Sequence, residues 1–285
     1  MERNYPLRLL TTWKIGGPGE YVYWPEDWRQ VVNLWRSAKE EGMPLWLIGR
    51  GSNLLIGDEG LPGITVVTTA LRRIVWDNYS VRVEAGYPLA QLAQEAAERS
   101  LSGLEFARGI PGTVGGAIVM NAGAHGADIS ARIQSIKAIW QDGEVLMLNR
   151  PELHFAYRDS SLKGKAWVLE AELLLEPGDK DRILSLMKDN LAKRKENQPL
   201  DLPNAGSVFR NPPGDSAGRL IEAAGWKGKR VGGAEVSTKH ANFIVNKGNA
   251  TAKDVLTLIE MVQKDIKEKF GIELVPEIHI LAPRG

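Results

Sequence analysis

A chain of 285 residues is long enough for two or three modest domains with a sizeable core. It is 43% hydrophobic and 25% charged, and its net charge of +1 with scattered basic residues argues against a nucleic-acid surface. The absence of cysteine excludes disulfides, thiolate nucleophiles and Cys-ligated zinc. The four histidines (His125, His154, His240, His279) are far apart, so no metal site is expected, and redox chemistry would need a borrowed cofactor. No apolar run reaches about 18 residues and no export pattern follows Met1, so a soluble, cytoplasmic protein without membrane association is expected.

In chain order, EDWRQVVNLWRSAKEE (26–41) predicts a helix, with Val31, Val32, Trp35 and Ala38 at three- and four-residue steps and Gly42 and Pro44 ending it. PLWLIG (44–49), LPGITVVTT (61–69) and SVRVEAG (80–86) read as strands, and PLAQLAQEAAERSL (88–101) as a helix with Pro in its first turn. Up to Ala85, this alternation favours an α/β layer. QSIKAIW and EVLMLN around Asp142-Gly143 predict a hairpin. AWVLEAELLLEP (166–177) reads as a strand, and 179–196 as a charged helix. The turn formers of NQPLDLPNAG (197–206) mark a boundary. Beyond it follow a helix at about 216–224, a strand at 241–246, a helix at 252–270 capped by Thr251, and a last strand at 274–281.

Two glycine-rich stretches carry a chemical signal: GRGSNLLIG (49–57), directly after a predicted strand, and RGIPGTVGGAIVMNAGAHG (108–126). Neither is a phosphate loop with a terminal Lys-Ser/Thr, and neither is G-x-G-x-x-G. Small residues still let a backbone approach a ligand, and successive N–H groups form an anion-binding concavity. Ser52, Asn53, Thr113 and Asn121 add short polar groups, so a phosphate-bearing cofactor is expected.

Three further segments stand out. In FAYRDSSLKG (155–164), Arg158 offers a bidentate fork for carboxylate or phosphate, or pairs with Asp159 at the surface. In NAGSVFRNP (204–212), Ser207 is a small hydroxyl at a loop-to-strand junction, with no hydrolase elbow around it. In LVPEIHIL (274–281), Glu277 interrupts an apolar strand, where it faces solvent or needs a partner.

Together these motifs resemble the UDP-N-acetylenolpyruvoylglucosamine reductases, nearly end to end from TTWKIGG (11–17) to VPEIHIL (275–281). The resemblance implies an α+β fold: an FAD-binding fold of the vanillyl-alcohol-oxidase type in two subdomains (1–70 and 71–196), then a substrate-binding domain (197–285). It places Gly49, Arg50, Gly51, Ser52, Asn53 and Leu54 along the FAD pyrophosphate, with Gly109, Ile110, Pro111, Gly112, Thr113, Gly115 and Gly116. Asn121, Ala122 and Gly123 would lie nearer the flavin, and Gly86 beside the cofactor. On this reading the missing side chains make room for FAD.

The implied reaction has two halves: NADPH reduces FAD, then hydride passes from flavin N5 to C3 of the enolpyruvyl ether of UDP-N-acetylglucosamine. Arg158 and Glu277 would stabilise the enolate-like charge, the Glu as a protonated donor, and Ser207 would protonate C2. Tyr157, Lys195 and Asn211 match substrate contacts. Longer members carry an inserted tyrosine loop for which the 48 residues 159–206 leave no room, so closure over the uracil end stays open among Arg219, Lys239 and His240. A monomer acting on small molecules is expected. Another FAD oxidoreductase of the same fold would lack the combined motifs of Arg158, Ser207 and Glu277. A silent nucleotide-binding relative would lack the serine or the glutamate.

Overall fold

The computed structural model describes residues 1–283. Its main elements begin with β1 (Glu2–Pro6), β2 (Pro18–Tyr23), α1 (Trp28–Glu40), β3 (Leu45–Ile48), β4 (Leu54–Ile56), β5 (Leu61–Val67), β6 (Ile74–Asp77) and β7 (Ser80–Glu84). Next come α2 (Leu89–Glu98), α3 (Val114–Val119), β8 (Ile133–Trp140), β9 (Val145–Asn149), β10 (Ala166–Leu174) and α4 (Lys180–Asn197). The chain then forms α5 (Ala217–Ala223), β11 (Arg230–Val231), β12 (Ala234–Val236), β13 (Ile244–Asn246), α6 (Ala252–Phe270) and β14 (His279–Leu281). No described helix is long and apolar enough to cross a membrane.

These elements belong to two units interleaved along the chain. The first takes Met1, 22–50 and 64–194; the second takes 2–21, 51–63 and the chain from Lys195 onward. The sequence expectation divides the chain at 70 and 196.

The first unit is built on a five-stranded sheet of order β9-β8-β10-β7-β6. Every pairing in it is antiparallel. Of the strands up to Ala85 expected to form an α/β layer, β3 and β5 pair in parallel, whereas β6 and β7 belong to this antiparallel sheet. The local reason is Asn78. It adopts φ +50° in the two-residue turn that opposes Asp77 to Ser80 and folds β6 back onto β7. The Asp142-Gly143 hairpin forms as expected between β8 and β9. Gly143 has φ +92°, and a Cβ there would fall 2.3 Å from the Trp35 ring, so this turn excludes other residues twice over. Helix α2 buries Leu89, Leu92, Ala93, Ala96 and Ala97 in a core shared with Val81, Val83, Ile136, Val168 and Leu173.

In the second unit, β11, β12 and β13 form an antiparallel sheet, and β4 pairs in parallel with β14, Leu54 opposite His279. Helix α6 buries Val255, Leu258, Ile259, Val262 and Ile266 against Leu220, Ile221, Val208 and Phe209. The expected strand 274–281 shortens to His279–Leu281, preceded by a single bridge between Phe209 and Pro276. Pro276 has no N–H to donate, which breaks the ladder there.

The start of α6 satisfies all four of its orphan amides. Ala252 N–H and Lys253 N–H donate to the two carboxylate oxygens of Asp58, at 2.7 and 3.0 Å. Asp254 N–H donates to Thr251 Oγ1 at 3.0 Å, and Thr251 N–H to Asp254 Oδ2 at 3.0 Å. Asp58 thus ties the 51–63 segment to a helix almost two hundred residues later. Asp58→Ala should lower stability by about 1–2 kcal/mol, the loss typical of a strong cap, measured as a fall in the urea midpoint at constant m.

Candidate functional site

The first unit brings Gly49 and Arg50, the stretch 108–126 and FAYRDS together. Around α3 the backbone is laced to EAGYPL (84–89). Val114 N–H donates to the Tyr87 carbonyl at 2.9 Å, Gly115 N–H to Ala85 at 2.8 Å, and Leu89 N–H to Gly112 at 3.1 Å. Thr113 is the N-cap, its Oγ1 accepting from Gly116 N–H at 3.4 Å. The same hydroxyl would lie 2.7 Å from a Cβ on Gly49, so the two stretches touch there.

This packing corrects the idea that the missing side chains simply clear space for a ligand. A Cβ on Gly86 would sit 1.7 Å from the Thr68 carbonyl oxygen, one on Gly115 2.8 Å from Ala85 Cβ, and one on Gly51 2.1 Å from the Leu10 carbonyl oxygen. These glycines are required by the chain's own close packing. Gly109 faces Arg194, whose Cδ would lie 2.8 Å from the added Cβ. Arg194 Nε is buried without a hydrogen-bond partner, and burial lowers the pKa of its guanidinium. Gly116 differs: it is exposed, and the nearest atom to an added Cβ is Thr113 Oγ1 at 3.5 Å.

Two miniature hairpins carry the rest of this half. Residues 123–124 pair with 127–128, and 155–156 pair with 159–160, leaving Tyr157 and Arg158 as the two-residue tip of the second. Asn121 Nδ2 donates to the Ala156 carbonyl at 3.0 Å, and Arg158 Nη2 to the Gly123 carbonyl at 2.8 Å, binding one hairpin to the other. Asn121 (φ +42°) and Arg158 (φ +55°) hold left-handed backbones without being glycine. Each such conformation costs of order 1 kcal/mol, and such strain gathers at functional sites. The Arg158 side chain is half-buried, with its guanidinium over the exposed Tyr157 ring.

In the second unit Ser207 and Glu277 lie on adjoining backbone. Glu277 N–H donates to the carbonyl of Val208 at 2.7 Å, and Arg210 N–H to that of Val275 at 2.9 Å. Ser207 and Glu277 are both half-buried. Asn242 fixes the serine's neighbours: Phe209 N–H donates to its Oδ1 at 2.9 Å, and its Nδ2 donates to the Phe209 carbonyl at 2.8 Å. Sequence reasoning missed Asn242, because its partner lies 33 residues away. Asn53 belongs here too, its Nδ2 donating to the Glu277 carbonyl at 3.1 Å.

Other expected residues have structural occupations. Asn211 Oδ1 accepts from Ala217 N–H at 3.1 Å, at the start of α5. Lys195 is exposed, and its carbonyl accepts from Lys239 Nζ at 2.6 Å. Arg219 pairs with Asp215. His240 Nδ1 accepts from Asn242 N–H at 3.2 Å, and burial lowers the imidazole pKa. Among the described residues no three His, Asp or Glu side chains group as a metal would require.

Residues 51–53 fit an anionic cofactor. Gly51 adopts φ +58°, and among the described residues no acceptor takes the N–H of Gly51, Ser52 or Asn53, whereas the carbonyls of Gly51 and Asn53 are both engaged. Successive free amides of this kind make a nest for phosphate. Within the first unit, exposed Gly116 presents a surface that no Cβ fills.

Comparison with known proteins gives these features a class. The family model described as "FAD binding domain" matches residues 19–149, which makes this an α+β flavoprotein fold of the expected class. The model described as "UDP-N-acetylenolpyruvoylglucosamine reductase, C-terminal domain" matches 198–281. The reductase 2 of that name from Symbiobacterium thermophilum is 48% identical, covering 98% of this chain and 92% of its own. That from Bacillus licheniformis is 46% identical, covering 99% and 94%. The crystal structure of the Thermus caldophilus reductase has a TM-score of 0.84 at 38% identity, covering 97% of each chain. The chain belongs to the UDP-N-acetylenolpyruvoylglucosamine reductase family of oxidoreductases.

Proposed function

We propose that this enzyme reduces UDP-N-acetylenolpyruvoylglucosamine to UDP-N-acetylmuramate in the cytoplasm, with NADPH as donor and FAD as carrier. FAD, when bound, would supply the hydride-transfer chemistry that links NADPH to C3 of the enolpyruvyl group. The amides of 51–53 would hold its diphosphate, and the β4–β14 pairing beside them keeps the loop fixed. The Arg158 guanidinium, pinned by the Gly123 carbonyl, faces charge that develops on the substrate carboxylate and C2. Glu277 hydrogen-bonds that carboxyl, and Ser207 delivers the proton to C2. A serine is a weak acid, so it serves only a strongly basic carbon held within hydrogen-bond reach.

The observation that supports this most is the bond between Glu277 N–H and the carbonyl next to Ser207, which puts a donor pair on adjoining backbone. The test is an anaerobic visible spectrum of the purified protein. Yellow protein should bleach with NADPH and regain colour when UDP-N-acetylenolpyruvoylglucosamine is added. Bleaching without recolouring removes the substrate from the proposal, and colourless protein that takes up no FAD removes the cofactor.

A further inference from the structure

We propose that Asn53 is a positioning residue for Glu277, setting the carboxyl that meets the substrate by holding its backbone from the opposite side to Ser207. The inference rests on the role given to Glu277 above. Its observation is a clamp of three bonds. Asn53 Nδ2 donates to the Glu277 carbonyl at 3.1 Å, and the Asn53 carbonyl accepts from His279 N–H at 2.9 Å. On the other edge, Glu277 N–H donates to the Val208 carbonyl at 2.7 Å.

The clamp sits where regular structure is missing. The β14 ladder with β4 begins only at His279, opposite Leu54, and Pro276 can donate nothing to a neighbour. Between Pro276 and His279 the Glu277 carbonyl accepts from the Asn53 side chain rather than from a ladder amide. An aliphatic residue at 53 would remove this donor, and with it one of the restraints on rotation of the peptide. Its rotation would carry the Glu277 side chain with it. Displacements of about an ångström at a reacting centre cost on the order of 10²-fold in rate. Asn53 is also the last residue of the 51–53 loop. Its main-chain N–H remains for the cofactor, while its side chain is committed to the substrate residue. One residue therefore fixes the cofactor loop and the substrate carboxyl relative to each other.

The experiment uses the full-length FAD-loaded enzyme with the variants Asn53→Ala, Asn53→Asp and Glu277→Gln, and the double variant Asn53→Ala/Glu277→Gln. Stopped flow would follow each half-reaction, and calorimetry would give the dissociation constant of UDP-N-acetylenolpyruvoylglucosamine for the oxidised enzyme. The inference expects Asn53→Ala to slow reoxidation, read per bound FAD, by on the order of 10²-fold and to weaken substrate binding, a loss larger than any in the rate of reduction by NADPH. It expects no further loss when the substitution is added to Glu277→Gln, a non-additivity that general loosening would not produce. Asn53→Asp is near-isosteric and sets a carboxylate oxygen against the Glu277 carbonyl; read per bound FAD, it should slow reoxidation at least as much as Asn53→Ala, and it decides the matter if the alanine variant does not fold. Slow Glu277→Gln beside fast Asn53 variants overturns the inference alone. So do losses that add in the double variant, or that follow FAD content. A fast Glu277→Gln enzyme removes the role of Glu277 itself, and the inference falls with it.

Discussion

Replacing Ser207 by alanine is expected to leave reduction of bound flavin by NADPH at its normal rate and to slow reoxidation by the enolpyruvyl substrate about 10²- to 10⁴-fold, the range over which a positioned proton donor acts. The structure makes this substitution unusually clean. Ser207 Oγ forms no hydrogen bond with any described residue, so its removal orphans no partner. The backbone around it is held independently, by Val208 N–H on the Asn242 carbonyl at 2.8 Å and by the two Asn242 side-chain bonds to Phe209. Gly206 before it has φ +80° and open space about its Cα, which leaves room for a ligand beside the hydroxyl. Single-turnover stopped flow under nitrogen separates the two halves. Reoxidation that stays fast in the alanine variant would take the proton donor's role away from Ser207.

The second large effect contrasts two glycines that look alike in sequence. Gly86→Ala is expected to destabilise the protein by about 3 kcal/mol, the upper end of ordinary overpacking, because the new methyl would lie 1.7 Å from the Thr68 carbonyl oxygen and 2.8 Å from that of Leu71. Both contacts are backbone atoms of packed structure and cannot swing aside as a flexible side chain would. Gly116→Ala should do the reverse. Its methyl meets only Thr113 Oγ1 at 3.5 Å, in the first turn of α3, where alanine is favoured over glycine by up to about 1 kcal/mol. If Gly116 faces FAD, this variant unfolds at the same or higher temperature and yet loses affinity for the cofactor. Thermal melts with and without added FAD would show both. A Gly116→Ala protein that binds FAD normally would remove that residue from the cofactor surface.

What the sequence makes legible is mostly what is local. Helix α6 carries its signals within itself: Thr251 and Asp254 form a capping box, the apolar positions recur at helical steps, and Gly271 ends it at φ +69°. The hairpin around Asp142-Gly143 is equally self-contained. The motif residues Ser207 and Glu277 were identifiable by residue type and family pattern, but not their shared backbone, since Phe209 meets Pro276 across a long stretch of chain. Asn53 and Asp58 show the same limit more sharply. Asn53 is read from sequence as part of a polar loop and Asp58 draws no reading at all, yet each does its structural work on residues about two hundred positions later. The glycines mislead for a different reason. Composition reports that a side chain is missing but not which atom excludes it, so Gly86 and Gly116 become distinguishable only once their neighbours are in place.

The interleaving of the two units bears on how the protein can be made. Strand β14 pairs with β4 in a register that sets residue 279 against residue 54, a separation of 225 residues. At roughly 5–20 residues per second on the ribosome, the early partner waits about 10 to 45 seconds for the late one. During that interval the 51–63 segment and residues 2–21 have each other, but their partners from Lys195 onward are not yet synthesised. The first unit can draw on contacts completed by residue 194, whereas the second closes only after translation has nearly ended. Neither unit corresponds to a stretch of chain that could be cloned as a single fragment. Nascent chains stalled anywhere between Lys195 and His279 would therefore expose an unpaired strand and depend on chaperones to stay soluble.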